Sequence, residues 1–357
     1  MPCYASATGC GSFDMAQHLL AFWNVENLFG PEDHPPRIDW IRDRVKNDLR
    51  GWTRALYDRK LAQLARIIVQ MKSGAGPDIL GVCEVEDGFV LADLAGLLNA
   101  ALPDRRYAVV HADNTRDLRG IDTAFIYDSG AFTVDPALIF NHFVLRRTGT
   151  RDILQATFRS QAGNDIVLLC NHWPSRSGGT VESAGFRATA GETLGYWHQR
   201  IREEVGADMP VLAFGDFNDD PFDPSLRFNA VAWRERGDVE RGRSAQFYNL
   251  AWEYLTFPAT DTRGKTRMLN GTLYFGGDGN LFDQILVGKP LVTGDGPYSV
   301  VDGTARVEVF PEMVSPSVSL GPIRFGLPKG DVANVDQNGY SDHFPVSVML
   351  AENVGMA

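Results

Sequence analysis

Residues 210–221 read PVLAFGDFNDDP, an apolar run from Val211 to Phe214 that stops at Gly215 and Asp216. The run is short, unbroken and bounded by proline on one side and an acid-amide cluster on the other. That pattern predicts a strand covered on both faces. Eight further runs behave alike: HLLAFWNV, DILGVCEV, YAVVHA, TAFIY, ILQATF, DIVLLCNHW, FDQILV and FPVSVML. Between them, Asp58 to Met71 sets Leu61, Leu64, Ile67, Ile68 and Met71 at helical spacing, and Gly74, Gly76 and Pro77 close the segment. Phe89–Ala101 and Arg187–Glu204 read as two more helices. The expectation is a layered α/β sandwich, two packed sheets with helices outside.

Residues 17–357 are read as one catalytic domain, after a flexible N-terminal extension over 1–16. Stretches at about 229–280 and 292–338 are rich in Gly, Pro and polar residues without clean periodicity. They read as long loops and short hairpins inserted into that domain. No internal repeat is visible.

The 357 residues carry 34 Lys and Arg against 45 Asp and Glu, a net charge of -11. A uniformly basic nucleic-acid grip is excluded, whereas a local basic cleft is not. Four cysteines in this length are no disulfide framework. Cys83 and Cys170 end apolar runs and read as buried thiols; Cys3 and Cys10 fall in the extension. No apolar run is long enough to cross a bilayer, and the N-terminus lacks the basic and hydrophobic blocks of a signal peptide. A cytoplasmic protein is expected, with secretion open if a leader precedes this sequence.

The informative residues are the polar ones at the strand ends: Asn24 and Glu26 after LLAFW, Glu84 after ILGVC, and Asn171 and His172 after IVLLC. Asp216 and Asn218 follow VLAFG, Asp283 lies in LFDQILV, and Ser341, Asp342 and His343 precede FPVSVML. Burying unpaired acids and amides costs several kcal/mol each unless they are paired or bind a metal. Taken singly, each motif has a plain structural reading: an Asx turn for GDFNDDP, a capped turn for SDH, a hydrogen-bonded loop histidine for NHWPSRSGG, a helix cap for NVENL. Their joint occurrence points to a hard-cation site of oxygen ligands, suited to Mg²⁺ or Mn²⁺.

In that order, WNVENL, GVCEVED, RGIDTAFIY, NHWPSRSGG, GDFNDDP, FDQILV and SDHFPV resemble the endonuclease/exonuclease/phosphatase superfamily, which includes DNase I-like nucleases. The match runs from about Phe22 to Val348. The resemblance implies a four-layered α/β sandwich, two packed mixed β-sheets flanked by helices, and Mg²⁺-dependent phosphoester hydrolysis with Mn²⁺ as a substitute. It implies that Asn24, Glu84 and Asp342 serve the metal. Asp216 and Asn218 would orient the attacking water and the phosphate. His343 would be the general base or a phosphate-binding imidazole, oriented by Asp283, and His172 would meet a phosphoryl oxygen or the leaving group. Glu26 faces the metal or caps the following turn, and Asp122 has no assigned role.

Arg119, Arg151, Arg176 and Arg187 lie beside these motifs. Solvated surface charge is the expectation for Arg119 and Arg151. Arg176, in a loop of serines and glycines, is expected to bind substrate phosphate with Arg187 and Asn171. The leading reading is a nuclease or phosphodiesterase cleaving phosphodiester bonds by in-line attack of activated water, on a nucleic acid or small phosphodiester. The alternative is a phosphatase or phosphodiesterase acting on a small or lipid-headgroup phosphoester, such as an inositol phosphate or a sphingomyelin-like lipid. Trp252, Tyr254, Tyr274 and Phe275 would then line its pocket. A catalytically dead scaffold is disfavoured because no motif position is substituted. Sequence alone does not distinguish DNA from RNA, endo- from exo-cleavage, one metal from two, or an oligomeric state, and it suggests no protein partner.

Overall fold

The computed structural model describes residues 15–113, 119–147, 149–317 and 321–353. The expected N-terminal extension, with Cys3 and Cys10, lies outside them apart from Met15 and Ala16. Ten strands form the frame: β1 (Ala16–Leu28), β2 (Ile79–Val85), β3 (Tyr107–His111), β4 (Asp122–Asp128), β5 (Phe132–His142), β6 (Ile153–Ser160), β7 (Asp165–His172), β8 (Val211–Asp216), β9 (Asp283–Gly288) and β10 (Val346–Glu352). The first sheet runs β10-β1-β2-β4-β3, with short strands at Tyr298–Val300 and Arg306–Val307 against β10. The second runs β5-β6-β7-β8-β9 and continues through Phe247–Asn249 to Ala232–Trp233. Each sheet is mixed: β1 with β2 is parallel in the first, and β7 with β8 and Phe247–Asn249 with Ala232–Trp233 are parallel in the second. Helices α1 (Asp39–Val45), α2 (Arg54–Ile68), α3 (Gly88–Ala101) and α4 (Thr180–Glu204) flank them, giving the four-layered sandwich.

Among the strands expected as doubly covered, every residue of β2 and of β8 is buried, whereas edge strand β3 leaves Ala108, Val109 and His111 only half-buried. Phe22, Phe125, Phe158 and Phe214 fill the space between the sheets, with ring centroids 5.2–5.8 Å apart in successive pairs. Cys83 and Cys170 are buried free thiols in the same layer.

Three boundaries differ from expectation. Helix α2 starts at Arg54 because the Thr53 side chain caps it, accepting from the Leu56 N–H, and it ends at Ile68, before Met71. Helix α4 starts at Thr180, seven residues before Arg187, because Gly179 at φ 102° turns the chain into it. Strand β5 escapes the hydrophobic pattern altogether. It is an edge strand, mostly exposed and interrupted at Asp135-Pro136 by a register shift between Val134 and Ile139.

Within 229–280 the irregular sequence supplies the last two strands of the second sheet and two small hairpins, Phe257–Thr260 with Thr266–Leu269 and Leu273–Phe275 with Asp278–Asn280.

Candidate active site

Register aligns the second sheet's contribution. His172 of β7 pairs with Asp216 of β8, and Asp216 pairs with Asp283 of β9, so three adjacent strands end in one row. The first sheet meets this row with Asn24 on β1, in register with Cys83, and Glu84 one residue beyond. His343 enters just before β10. Its backbone N–H donates to Ser341 Oγ, and its carbonyl accepts from Trp23 Nε1.

Backbone strain concentrates here. Glu26, Asn27, Glu84 and Asn218 all have φ between 51° and 63°, the left-handed region that non-glycine residues avoid. Glu84 sits where the ladders on both sides of β2 shift register, which turns its side chain out of the strand alternation into the cleft. Such strain persists where surrounding bonds over-determine it. Asn27 N–H donates to Glu84 Oε2 at 2.9 Å, Glu26 N–H to Asn24 Oδ1 at 3.0 Å, and Asn218 N–H to Asp216 Oδ1 at 3.0 Å.

Asp216 is the hub. Its Oδ2 accepts from Asn24 Nδ2 at 3.1 Å and lies 3.7 Å from His172 Nε2 and 3.9 Å from His343 Nε2. His343 Nδ1 bonds Asp283 Oδ2 at 2.7 Å, which turns Nε2 to the cleft.

Burial alone would lower the His343 imidazole. Asp283, with Asp216 and Asp342, reverses that and holds it well above the ordinary histidine value. His172 goes the other way, driven well down by burial and by Arg151, Arg119 and His343, and is neutral. Burial also raises Asp216, with Asp283 adding to the shift, and raises Asp342, helped by Glu26. Burial works to raise Glu84 too, but Arg119, His343 and Arg151 outweigh it and keep the carboxylate below its usual range.

The donor set suits a hard cation. Glu84 Oε1 accepts no hydrogen bond among the described residues, standing 3.6 Å from Arg119 and 3.7 Å from His172. Among the described residues Asp342 makes only long ion-pair contacts, 4.0 Å to His343 and 3.9 Å to Arg324. Two such carboxylates and the Asn24 amide leave most of a coordination sphere to water and substrate, which is how Mg²⁺ is usually held. A group of possible ligands, His111, Asp113 and Asp122, gathers at the end of β3, just past it, and at the start of β4, where Asp122 pairs in register with Val85. There His111 Nε2 and Asp122 Oδ2 bond at 3.0 Å, so Asp122 serves that histidine.

The residues expected to bind substrate phosphate are placed otherwise. Asn171 is fully buried, donating to the Leu169 and Phe214 carbonyls and accepting from Trp173 Nε1. Arg187 is buried with Nε 2.6 Å from Asp219. Arg176 is held by Asp219, Asp220 and Asp223 and lies over the Phe282 ring. The Asp219–Asp223 turn consumes both guanidinium groups, an outcome the serines and glycines around Arg176 did not signal. Arg119 and Arg324 approach the metal-side acids, and Arg151, expected as solvated charge, is instead buried and donates to the Trp173 carbonyl at 2.9 Å. Arg119, expected as surface charge, is exposed, and Arg324 is remote in sequence from every motif. Arg324 pairs with Glu26 at 2.7 Å. Glu26 also accepts the Phe325 and Gly326 N–H groups and faces buried Lys60 at 3.5 Å, so neither a metal nor a turn cap uses its carboxylate.

Two cavities flank the centre. One of about 340 Å³ adjoins Asn218 and is lined by Arg176, Phe275 and Phe282. Phe275 there is strongly exposed, while Tyr254 is core and Trp252 lines a different surface pocket under Arg234. The other, about 500 Å³, adjoins Asn27 and Arg119.

A family model described as Endonuclease/Exonuclease/phosphatase family matches residues 19–352. A search of the curated proteins finds no match. Among solved structures, an endonuclease/exonuclease/phosphatase family protein from Bacteroides thetaiotaomicron is 17% identical, with 95% of this chain and 99% of that chain covered and a TM-score of 0.52. The human Nocturnin catalytic domain with bound sulfate anion is 14% identical over 95% and 98% of the two chains, TM-score 0.50. A humanized D. rerio TDP2 is 15% identical over 94% and 98%, TM-score 0.50. At these identities the likeness establishes a shared fold.

Proposed function

The chain belongs to the endonuclease/exonuclease/phosphatase family, and on that premise we propose that it is a divalent-metal-dependent hydrolase cleaving phosphodiester bonds by in-line attack of water. The observation that carries this is the in-register row His172–Asp216–Asp283 facing Glu84 and Asp342, with His343 oriented by Asp283. Glu84 and Asp342, with the Asn24 amide, would hold Mg²⁺, or Mn²⁺ in its place, which when bound would supply Lewis-acid polarisation of the phosphoryl group and offset its developing charge.

The side chains divide the remaining work. Asp216 is fixed by Asn24 and Asn218 with lone pairs turned to the cleft, and its raised proton affinity suits it to take the proton of the attacking water. His343, protonated and stabilised by Asp283, donates from Nε2 to a non-bridging phosphoryl oxygen as charge builds there. Neutral His172 offers a second donor on the same face. Asn218 spends one amide N–H on the Trp173 carbonyl at 3.1 Å and keeps the rest of its amide for the phosphate.

The test is a matched assay of supercoiled plasmid, bis-p-nitrophenyl phosphate and p-nitrophenyl phosphate, with Mg²⁺ or Mn²⁺ and with EDTA. EDTA-sensitive diester cleavage with weak monoester turnover is expected. Plasmid nicking would extend the reading to a nuclease. Metal-independent turnover, or monoester turnover alone, would overturn it.

A further inference from the structure

The 500 Å³ cavity departs sharply from the charge of the chain around it. Among its lining residues are Arg44, Arg119, Arg324 and Lys329, with Asp48 the one acid among the described residues. The protein as a whole carries -11. Cations gathered in one concavity of an acidic protein focus potential on that concavity and recruit anions to it.

Its position is equally specific. Arg119 Nη1 is 3.6 Å from Glu84, and Arg324 Nη2 is 3.9 Å from Asp342, so the cavity opens onto the metal-side carboxylates. Arg44 and Lys329 stand at its far side, both exposed. Arg44 makes no ion pair or hydrogen bond with a described residue, and Lys329 has only a 3.9 Å approach to Asp48. These two charges contribute nothing evident to folding. The wall carrying them is nonetheless fixed: Lys329 N–H donates to the Asp48 carbonyl and Gly330 N–H to the Arg50 carbonyl, which hold Lys329 at φ 49°. Phe29, buried, gives the floor an apolar surface.

We propose that this cavity is a subsite for a second phosphate group of the substrate, bound by Arg44 and Lys329 while the scissile phosphate lies at the metal-side acids. The inference rests on the hydrolase reading above and narrows its substrate class to molecules bearing at least two phosphates. The second phosphate comes either from a small bisphosphorylated nucleoside or from the neighbouring linkage of an oligonucleotide.

Isothermal titration decides this, using adenosine 3′,5′-bisphosphate, adenosine 5′-monophosphate and pentathymidylate in Ca²⁺ buffer. The proteins are the natural chain and Arg44→Gln/Lys329→Gln, both positions being exposed, with bis-p-nitrophenyl phosphate hydrolysis in Mg²⁺ measured alongside. The natural protein is expected to bind the bisphosphate about tenfold more tightly than the monophosphate, and the double variant to lose that preference. If pentathymidylate alone shows the variant-sensitive gain, the subsite stands and its phosphate is that of a polymer backbone. Equal preference in both proteins, or no preference in either, overturns the subsite even if the diester is hydrolysed. Variant-sensitive binding without any hydrolysis would keep the subsite and overturn the hydrolase reading.

Discussion

Glu84 and Glu26 are both buried acids on left-handed backbone at strand ends, yet their carboxylates are committed in opposite ways. Glu84 leaves Oε1 open to the cleft, whereas Glu26 is fully engaged by Arg324, two backbone N–H groups and Lys60. Glu84→Gln keeps an oxygen for the Asn27 N–H and removes the charge. It should lower turnover by about 10²-fold or more while the melting temperature stays within a few degrees. A Mg²⁺ titration of the variant checks the assignment, and unchanged activity would take Glu84 out of the metal shell. Glu26→Gln should act on stability instead. Lys60 is buried, and burial already pulls its ammonium below the ordinary lysine value against the opposing effect of Glu26. Stripping its partner leaves an unpaired buried charge, at a cost of about 3–5 kcal/mol. Urea unfolding measures this, and a loss under 1 kcal/mol would mean water replaces Glu26 at Lys60.

Elements, more than side chains, decide what could be read in advance. The hydrophobic runs of β1, β2, β7, β8, β9 and β10 foretell strands because both their faces are covered, and the polar residues closing them foretell the site. Edge strand β5 has no such signature, since one exposed face and a Pro-containing bulge remove the alternation. The pairing of Arg176 and Arg187 with acids is not legible in sequence, because Asp219, Asp220 and Asp223 gather in one tight turn that meets both arginines only in the folded chain. Arg324 was invisible for the complementary reason: it reaches Glu26 across 298 residues of sequence. Close approach of the sheets is another element-scale property. A Cβ at Gly81 of β2 would enter the space of the Phe214 ring on β8. Gly81→Ala should therefore cost about 1–3 kcal/mol by overpacking. Adding Phe214→Leu should recover part of that loss in a double-mutant cycle, and strict additivity would show that the sheets adjust without conflict.

For the whole molecule, buried histidines couple folding to pH, and His198 on α4 offers the clearest case. It is buried, stacks on Phe247 with centroids 3.9 Å apart, and lies far from the cleft on the outer face of the second sheet. Burial, aided by Arg202, pushes its imidazole down to about 3. In the unfolded chain a histidine titrates near 6.5, so between these values the unfolded state binds the extra proton. The contribution of neutral His198 is thus fully present above about pH 6.5 and is lost progressively as pH falls toward 3. Other groups titrate in the same window, among them Asp216 with a shift of the opposite stability sign, so a single curve of stability against pH does not isolate it. The difference between the natural protein and His198→Gln does, because terms common to both cancel. That difference should be flat from pH 8 to 7 and then move against the natural protein by up to about 1.4 kcal/mol per pH unit, or about 2 kcal/mol by pH 5. Parallel curves between pH 7 and 5 would mean that α4 opens locally and lets His198 protonate in water without unfolding the sheet beneath it.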